Sequence, residues 1–232
     1  MQTTILAIET STEWCSIAIA SSNKVLFEEE RTGAQSSTRV LPMVQSLLAQ
    51  ADIALRDLSA IAFGAGPGSF TGIRTACALA QGLAFGADLP IVPVDTLLAC
   101  AERAYQETGF QRILVTLDAR MGEVYWGEYF FDMHAWQVLT PPSVSKPAAI
   151  QAQQMNYCVA GNAGTLFPDA QFNQLAKNSQ PTITPRADYI ANLARHAFNN
   201  GQAQQAAQAS PIYIRNKVAL TTQERQQKIA HQ

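Results

Sequence analysis

The sequence predicts an α/β protein built from one topological unit used twice, each unit a mixed sheet flanked by helices. Three observations carry this expectation. Residues 1–106 read as three closely spaced strands followed by alternating helices and strands. Residues 107–210 begin the same way, and each half opens on a strand that runs into an acid, Glu9 in the first and Asp118 in the second. The turns joining the first three strands are too short for crossover helices, so those strands run antiparallel as a meander. The two halves share no evident sequence identity, so the duplication is one of topology.

Each element has a local reason. The first strands fall at residues 3–8, 15–20 and 25–30; in the second, Cys15, Ile17 and Ile19 alternate with small residues, and Ser21-Ser22-Asn23-Lys24 turns the chain into the third. A helix starts near Ser37 or Thr38, with Val40, Leu41, Val44, Leu47, Leu48 and Ala51 at helical spacing. Pro42 restricts its start, because proline is accommodated only in the first turn or two. An apolar strand follows at 60–64, then a loop at 65–69, a helix at 70–85, a strand at 90–94 and a helix at 97–106. The second half offers strands at 113–117, 123–130 and 136–139, a loop marked by Pro141, Pro142 and Pro147, and a short helix at 148–155. A strand at 157–160, a glycine turn at 161–164 and a helix at 188–198 complete it. A meander followed by αβ units is the ribonuclease-H-like arrangement, and two in tandem make the actin, sugar-kinase and Hsp70 architecture. The expected division is an N-terminal lobe over 1–106, a smaller lobe over 107–210, and a segment over 211–232 that returns to the first lobe and ends in a frayed polar tail after Thr221.

Composition excludes several function classes. With 232 residues, 47% apolar and 15% charged, there is material for a sizeable core, which excludes a disordered tail protein or a disulfide-stapled miniprotein. Sixteen basic against eighteen acidic residues give a net charge of −2, which argues against a strongly basic nucleic-acid binder but leaves a local basic patch open. No apolar run reaches the roughly 18 residues of a membrane span; residues 76–94 come closest but contain Gln81, Asp88, Pro90 and Pro93. The opening MQTTILAIETS has no basic leader, so a signal peptide is not expected. Cys15, Cys77, Cys100 and Cys158 form no C-x-x-C pair and are expected as reduced, packed thiols, which suits a cytoplasmic protein. His134, His196 and His231 are too far apart in sequence for a local metal-ligand pair, and no metal site is expected.

The richest motif is Phe63-Gly64-Ala65-Gly66-Pro67-Gly68-Ser69-Phe70-Thr71-Gly72-Ile73-Arg74, between a strand and a helix. Its glycines and the following helix start can hold an anion, or the segment is a tight turn capped by Ser69 or Thr71. It lacks the Lys-Ser/Thr ending of a P-loop. The helix after it carries two rows of small residues, Gly72-Ala76-Ala80-Ala84 and Ala78-Gly82-Gly86. A helix this apolar on all sides requires burial on more than one face, against the helix at 38–51 or against another subunit. Actin-like hairpins usually read Asp-x-Gly-x-Thr, and Glu9-Thr10-Ser11-Thr12 replaces that here, without glycine. Thr10, Ser11, Gly66, Gly68, Ser69 and Asp118 are therefore candidates for a vestigial nucleotide site, Asp118 acting either on metal-bound water or as a turn cap. Gly161-Asn162-Ala163-Gly164 is an adenosine-edge loop or an ordinary turn. There is no G-x-S-x-G nucleophile elbow. Arg215, Lys217, Arg225 and Lys228 make the C-terminal segment locally basic, either as a solvated tail or as a contact for RNA phosphate.

Four stretches carry a resemblance over nearly the whole chain: Ile5-Leu6-Ala7-Ile8-Glu9-Thr10-Ser11-Thr12, Leu41-Pro42-Met43-Val44, the glycine-rich segment 63–74, and Leu117-Asp118-Ala119-Arg120-Met121-Gly122-Glu123-Val124-Tyr125-Trp126-Gly127-Glu128-Tyr129, with Pro211-Ile212-Tyr213-Ile214-Arg215 beyond them. They resemble the TsaB, or YeaZ, family. The resemblance implies a cytoplasmic protein of the actin-like fold that takes part in threonylcarbamoylation of adenosine 37 of tRNA. It implies pairing with TsaD, a catalytic paralogue, and work with the ATPase TsaE, while TsaC supplies threonylcarbamoyl-adenylate. It also implies self-association of the isolated chain through much the same helices, with tRNA met through the complex. The paralogue's H-x-x-x-H metal pair falls on Ser36 and Val40 here, and neither side chain can replace an imidazole. The expectation is thus a non-catalytic activating subunit without a tightly bound cofactor, ATP or ADP entering only at the complex interface. Candidate interface residues are Arg39, Met43, Leu47, Arg74, Cys77, Ala78, Gln81 and Gly82. Rival readings are a small actin-superfamily ATPase or small-molecule kinase with nucleotide between the lobes and, last, a protease acting on TsaD.

Overall fold

The computed structural model describes residues 3–152 and 156–215. It contains two five-stranded mixed sheets of identical strand order. In the first, β1 (Ile5–Glu9), β2 (Trp14–Ala20) and β3 (Val25–Arg31) form an antiparallel meander, and β4 (Ala60–Gly66) and β5 (Ile91–Asp95) add parallel to β1, giving the order β3-β2-β1-β4-β5. In the second, β6 (Arg112–Asp118), β7 (Val124–Phe131) and β8 (Trp136–Ser145) are the meander, and β9 (Tyr157–Ala160) and β10 (Ala176–Gln180) add parallel, giving β10-β9-β6-β7-β8. The helices are α1 (Ser36–Ala51), α2 (Phe70–Gly86), α3 (Thr96–Thr108), the single turns α4 (Ala163–Leu166) and α5 (Gln171–Gln174), and α6 (Ala187–Asn199). The duplicated actin-like, ribonuclease-H-like fold expected from the sequence is therefore observed.

The first sheet sorts its side chains by size. On one face Leu6, Ile8, Ile17, Ile19, Ile61 and Phe63 pack under α1 and α2 with Val40, Met43, Val44, Leu47, Ala76 and Ala80. On the other, Ala7, Ala18, Ala20, Ala60 and Ala62 leave room for α6, which lays Ala187, Ile190, Ala191 and Ala194 against them. The two-residue period of a strand makes this sorting possible. It also explains why β1 and β4, buried on both faces, read as continuous apolar runs.

The halves share helices. α6, from the second half of the chain, covers the first sheet. α3 puts Leu97, Cys100, Ala101 and Ala104 against Ile113, Val115, Leu117 and Tyr129 of the second.

Several expectations are corrected. β8 runs to Ser145, through Pro141 and Pro142, where a loop was expected; it is an edge strand, where a missing N–H goes unnoticed. The helix expected over 148–155 is a 3-10 turn, Pro147–Ala149, followed by extended chain at Ile150, and its last residues lie outside the described ones. β10 and α5 carried no sequence signal, β10 because Ala-Lys-Asn-Ser-Gln is a polar edge strand. Lys217, Arg225, Lys228 and the rest of the tail also lie outside the described residues.

Candidate functional site

The two small-residue rows of α2 have different fates. The row Gly72-Ala76-Ala80-Ala84 is buried. A Cβ at Gly72 would stand 1.9 Å from the carbonyl oxygen of Thr10, so only glycine lets the helix start this close to the first hairpin. The row Ala78-Gly82-Gly86 is exposed, and a Cβ at Gly82 or Gly86 would meet nothing within 4 Å. Beside it Phe85 is 83% exposed. Gly82, inside the helix, costs about 1 kcal/mol relative to alanine, and no close contact among the described residues accounts for it. α1 lies next to α2 on the same sheet face and exposes Leu41. An apolar face with a large exposed aromatic is the surface type that partners cover.

The predicted interface residues divide into three groups. Ala78 and Gly82 lie on the bare row, and Arg39 is on the surface, paired with Glu30 at 2.7 Å. Met43, Leu47 and Cys77 are core residues, each at most 4% exposed, and present no contact surface, because their side of each helix faces the sheet. Arg74 and Gln81 hold a segment of the chain itself. After α6 the chain returns along α2: Gln204 pairs with the edge of β5 at Ile91, and the Gln81 amide donates to the carbonyls of Ala206 and Ala209, both at 3.0 Å. Ile212 N donates to Ala65 O at 2.7 Å, and Arg74 Nε donates to the Tyr213 hydroxyl at 2.8 Å. The Arg74 guanidinium also lies 3.6 Å over the Phe70 ring. The sequence placed the returning segment over 211–232; the strap already begins at Gln204, and that earlier start was missed, as was the exposure of Phe85 and Leu41. Phe85, three residues beyond Gly82, was visible as a continuation of the row.

The candidate nucleotide residues are packed against one another. The Thr10 hydroxyl donates to Gly72 O at 2.7 Å, and Ser69 N donates to Ser11 O at 2.7 Å. A Cβ at Gly68 would strike Ser11 Cβ at 2.5 Å, and one at Gly66 would lie 2.9 Å from Ile212 O. Ser69 caps α2 by accepting from Gly72 N. The glycine-rich segment is thus a tight turn pressed onto the first hairpin. Glu9 is fully buried; one carboxyl oxygen accepts from Ser11 N, and the other, Oε2, has no partner among the described residues and fills the space above Gly64. Loss of hydration pushes its pKa up to about 7, and the neighbouring Ser11 offsets only part of that rise. Asp95 caps α3 through Leu97 N and accepts from Tyr129 of the second sheet at 2.9 Å, and burial raises it to about 6.

In the second hairpin Asp118 acts as a turn cap: its Oδ1 accepts from Arg120 N at 2.8 Å and its Oδ2 pairs with the Arg120 guanidinium at 3.1 Å. Gly161-Asn162 serves the same hairpin, Asn162 Oδ1 accepting from Asp118 N at 2.9 Å. The structure brings Thr10, Ser11, Gly66, Gly68 and Ser69 together, while Asp118 belongs to the other sheet and meets the strap's end through Ala119 and Glu123, both held by Arg215. All four cysteines are free and buried. Among the described residues no group of three or more His, Cys, Asp or Glu is placed to hold a metal ion, and no helix is long and apolar enough to cross a membrane.

The family model described as TsaD: tRNA N6-adenosine threonylcarbamoyltransferase matches residues 29–227. The tRNA threonylcarbamoyladenosine biosynthesis protein TsaB of Escherichia coli is 38% identical over 221 residues, which cover 93% of this chain and 96% of that protein. Its namesake in Haemophilus influenzae is 34% identical, with 93% and 94% covered. The solved structure of YeaZ from Pseudomonas aeruginosa superposes with a TM-score of 0.86 at 36% identity, covering 91% of this chain and 99% of that one. With two TsaB proteins matched almost end to end at 38% and 34% identity, the chain belongs to the TsaB (YeaZ) family.

Proposed function

We propose that this chain is the non-catalytic activating subunit of a tRNA threonylcarbamoyladenosine synthesis complex, docking TsaD through α1 and α2 and thereby enabling TsaE to be recruited. The observation that carries the reading is the bare Ala78-Gly82-Gly86 row with Phe85 beside it. Small residues let two helix backbones approach closely, and the aromatic supplies an anchor of the kind that dominates interface energetics. The names of the relatives supply the pathway. In the isolated chain the same face supports a homodimer, so TsaD and a second copy compete for it.

A partner role is supported by what stands at the paralogue's metal positions. Ser36 is buried and bonded to Thr32 Oγ1 at 2.8 Å, and Val40 is fully buried in the core. ATP or ADP enters this account only at the complex interface, because Thr10 and the glycine-rich turn spend their polar groups on each other. tRNA is met within the complex.

The test is a reconstituted tRNA threonylcarbamoylation assay with TsaC, TsaD and TsaE, with this chain omitted or added back. The expected result is modification that requires the chain, while the chain alone neither turns over ATP nor modifies tRNA. Full activity without it would overturn the reading, and turnover of Mg-ATP by the isolated chain would move it to the kinase and ATPase class.

A further inference from the structure

The hairpin between β6 and β7 is an exposed turn braced by several side chains. Arg120, Met121 and Gly122 are three consecutive left-handed residues, with φ of +62°, +57° and +69°. For arginine and methionine this conformation is costly and persists only where the surroundings impose it. Here they do: Asp118 binds Arg120 N and its guanidinium, Asn162 binds Asp118 N, Lys146 Nζ donates to Met121 O at 3.2 Å, and Arg215 donates to Ala119 O at 2.9 Å. The result is a tip whose Arg120 side chain is 83% exposed beside an exposed Met121. The amides of Met121 and Gly122 donate to no described residue.

The tip is one end of a stripe. From Arg215 the strap leads back to Tyr213, which is 48% exposed and whose ring centroid lies 5.9 Å from that of the exposed Phe70, with Arg74 bonded to its hydroxyl. The stripe thus runs Lys146, Arg120, Arg215, Tyr213, Arg74, Phe70. Arg120 is paired with Asp118, and Arg215, 15% exposed, with Glu123, while Lys146 and Arg74 are exposed and pair with no carboxylate among the described residues. Cations interleaved with exposed rings are what a single-stranded nucleic acid meets, phosphates on the guanidinium and ammonium groups and unstacked bases on the rings. An acidic protein surface would use the cations but has no need of the rings.

We propose that this stripe is a direct contact surface for single-stranded RNA, with Arg120 and Lys146 taking phosphate and Tyr213 offering a ring to a base. The choice of RNA rests on the proposed pathway role; the surface chemistry does not. The experiment is fluorescence anisotropy of a labelled tRNA anticodon stem-loop with the full chain, alone and with TsaD, across a salt series. Arg120→Gln/Lys146→Gln keeps a donor for Met121 O and removes two charges. It should weaken binding about tenfold at low salt and flatten the salt slope by about 1.4, about 0.7 for each phosphate contact to a single strand. Tyr213→Ala should weaken it about fivefold or more, and Arg31→Glu, an exposed charge change on β3, should leave it unchanged. Equal affinity of the double variant and the wild type overturns the inference, as does the absence of salt-dependent binding. So does loss of TsaD binding by the double variant with RNA affinity intact, which would give the stripe to a protein instead. The two readings fail separately: a chain required for modification whose double variant stays fully active and RNA-tight sinks only the stripe, and a dispensable chain that still binds RNA through it sinks only the subunit role.

Discussion

Glu9 shows how a local sequence choice becomes a property of the whole chain. Its carboxylate has one oxygen bonded to Ser11 N and one without a partner among the described residues, in a space that exists because residue 64 is glycine. A carboxyl raised from 4.5 to about 7 on folding binds its proton more tightly in the native state than in the unfolded one. Its stabilising effect is therefore complete below about pH 4.5 and is lost as the pH rises to about 7, an effect on the order of 3 kcal/mol. Asp95, raised from 3.8 to about 6, acts in the same direction. Denaturant unfolding of Glu9→Gln at about pH 5 and about pH 8 should show a flatter dependence than the wild type, the remaining slope belonging to Asp95. An unchanged slope would mean that Glu9 is not the group that titrates. The sequence marked Glu9 as an unusual acid in an actin-like hairpin. It could not show that the site is closed, because closure depends on contacts between Ser11 and Gly68 and between Thr10 and Gly72, which are far apart in the chain.

At the scale of the elements, α2 carries two rows that look alike in sequence and differ in environment. Enlarging the inner row should harm folding: Ala80→Leu forces extra volume into a packed core and should cost about 1–3 kcal/mol, read as a lowered denaturation midpoint. Enlarging the outer row should not, since Gly82→Trp enters open space and replaces a poor helix former. The strap gives a third test. Gln81→Ala removes the amide that holds Ala206 and Ala209, and hydrogen exchange over 204–212 should quicken as about 1–2 kcal/mol of local stability is lost. Protection equal to that of the wild type would show that the strap is held by its other contacts. Strong periodicity made α1, α2, α3 and α6 legible within a residue or two. β10, a polar edge strand, and the proline-containing end of β8 were not legible, because edge strands are defined by pairing on one side rather than by an apolar pattern.

At the scale of the whole molecule, the duplication was readable from strand order and the two terminal acids, whereas the exchange of helices between halves was not. α3 and α6 are amphipathic helices whose apolar faces suit either sheet, and the alanine face of β1, β2 and β4 is what selects α6. This exchange ties the sheets together and leaves α1 and α2 as the outer layer on the large-residue face of the first. The proposal that TsaD covers this layer is tested by a calorimetric titration of TsaD into wild-type chain and into Gly82→Trp, with thermal melts confirming that both are folded. The tryptophan variant should melt no lower than the wild type and lose TsaD binding by at least about tenfold, as truncation of an interface hot spot does. A folded Gly82→Trp chain that binds TsaD as tightly as the wild type would contradict it.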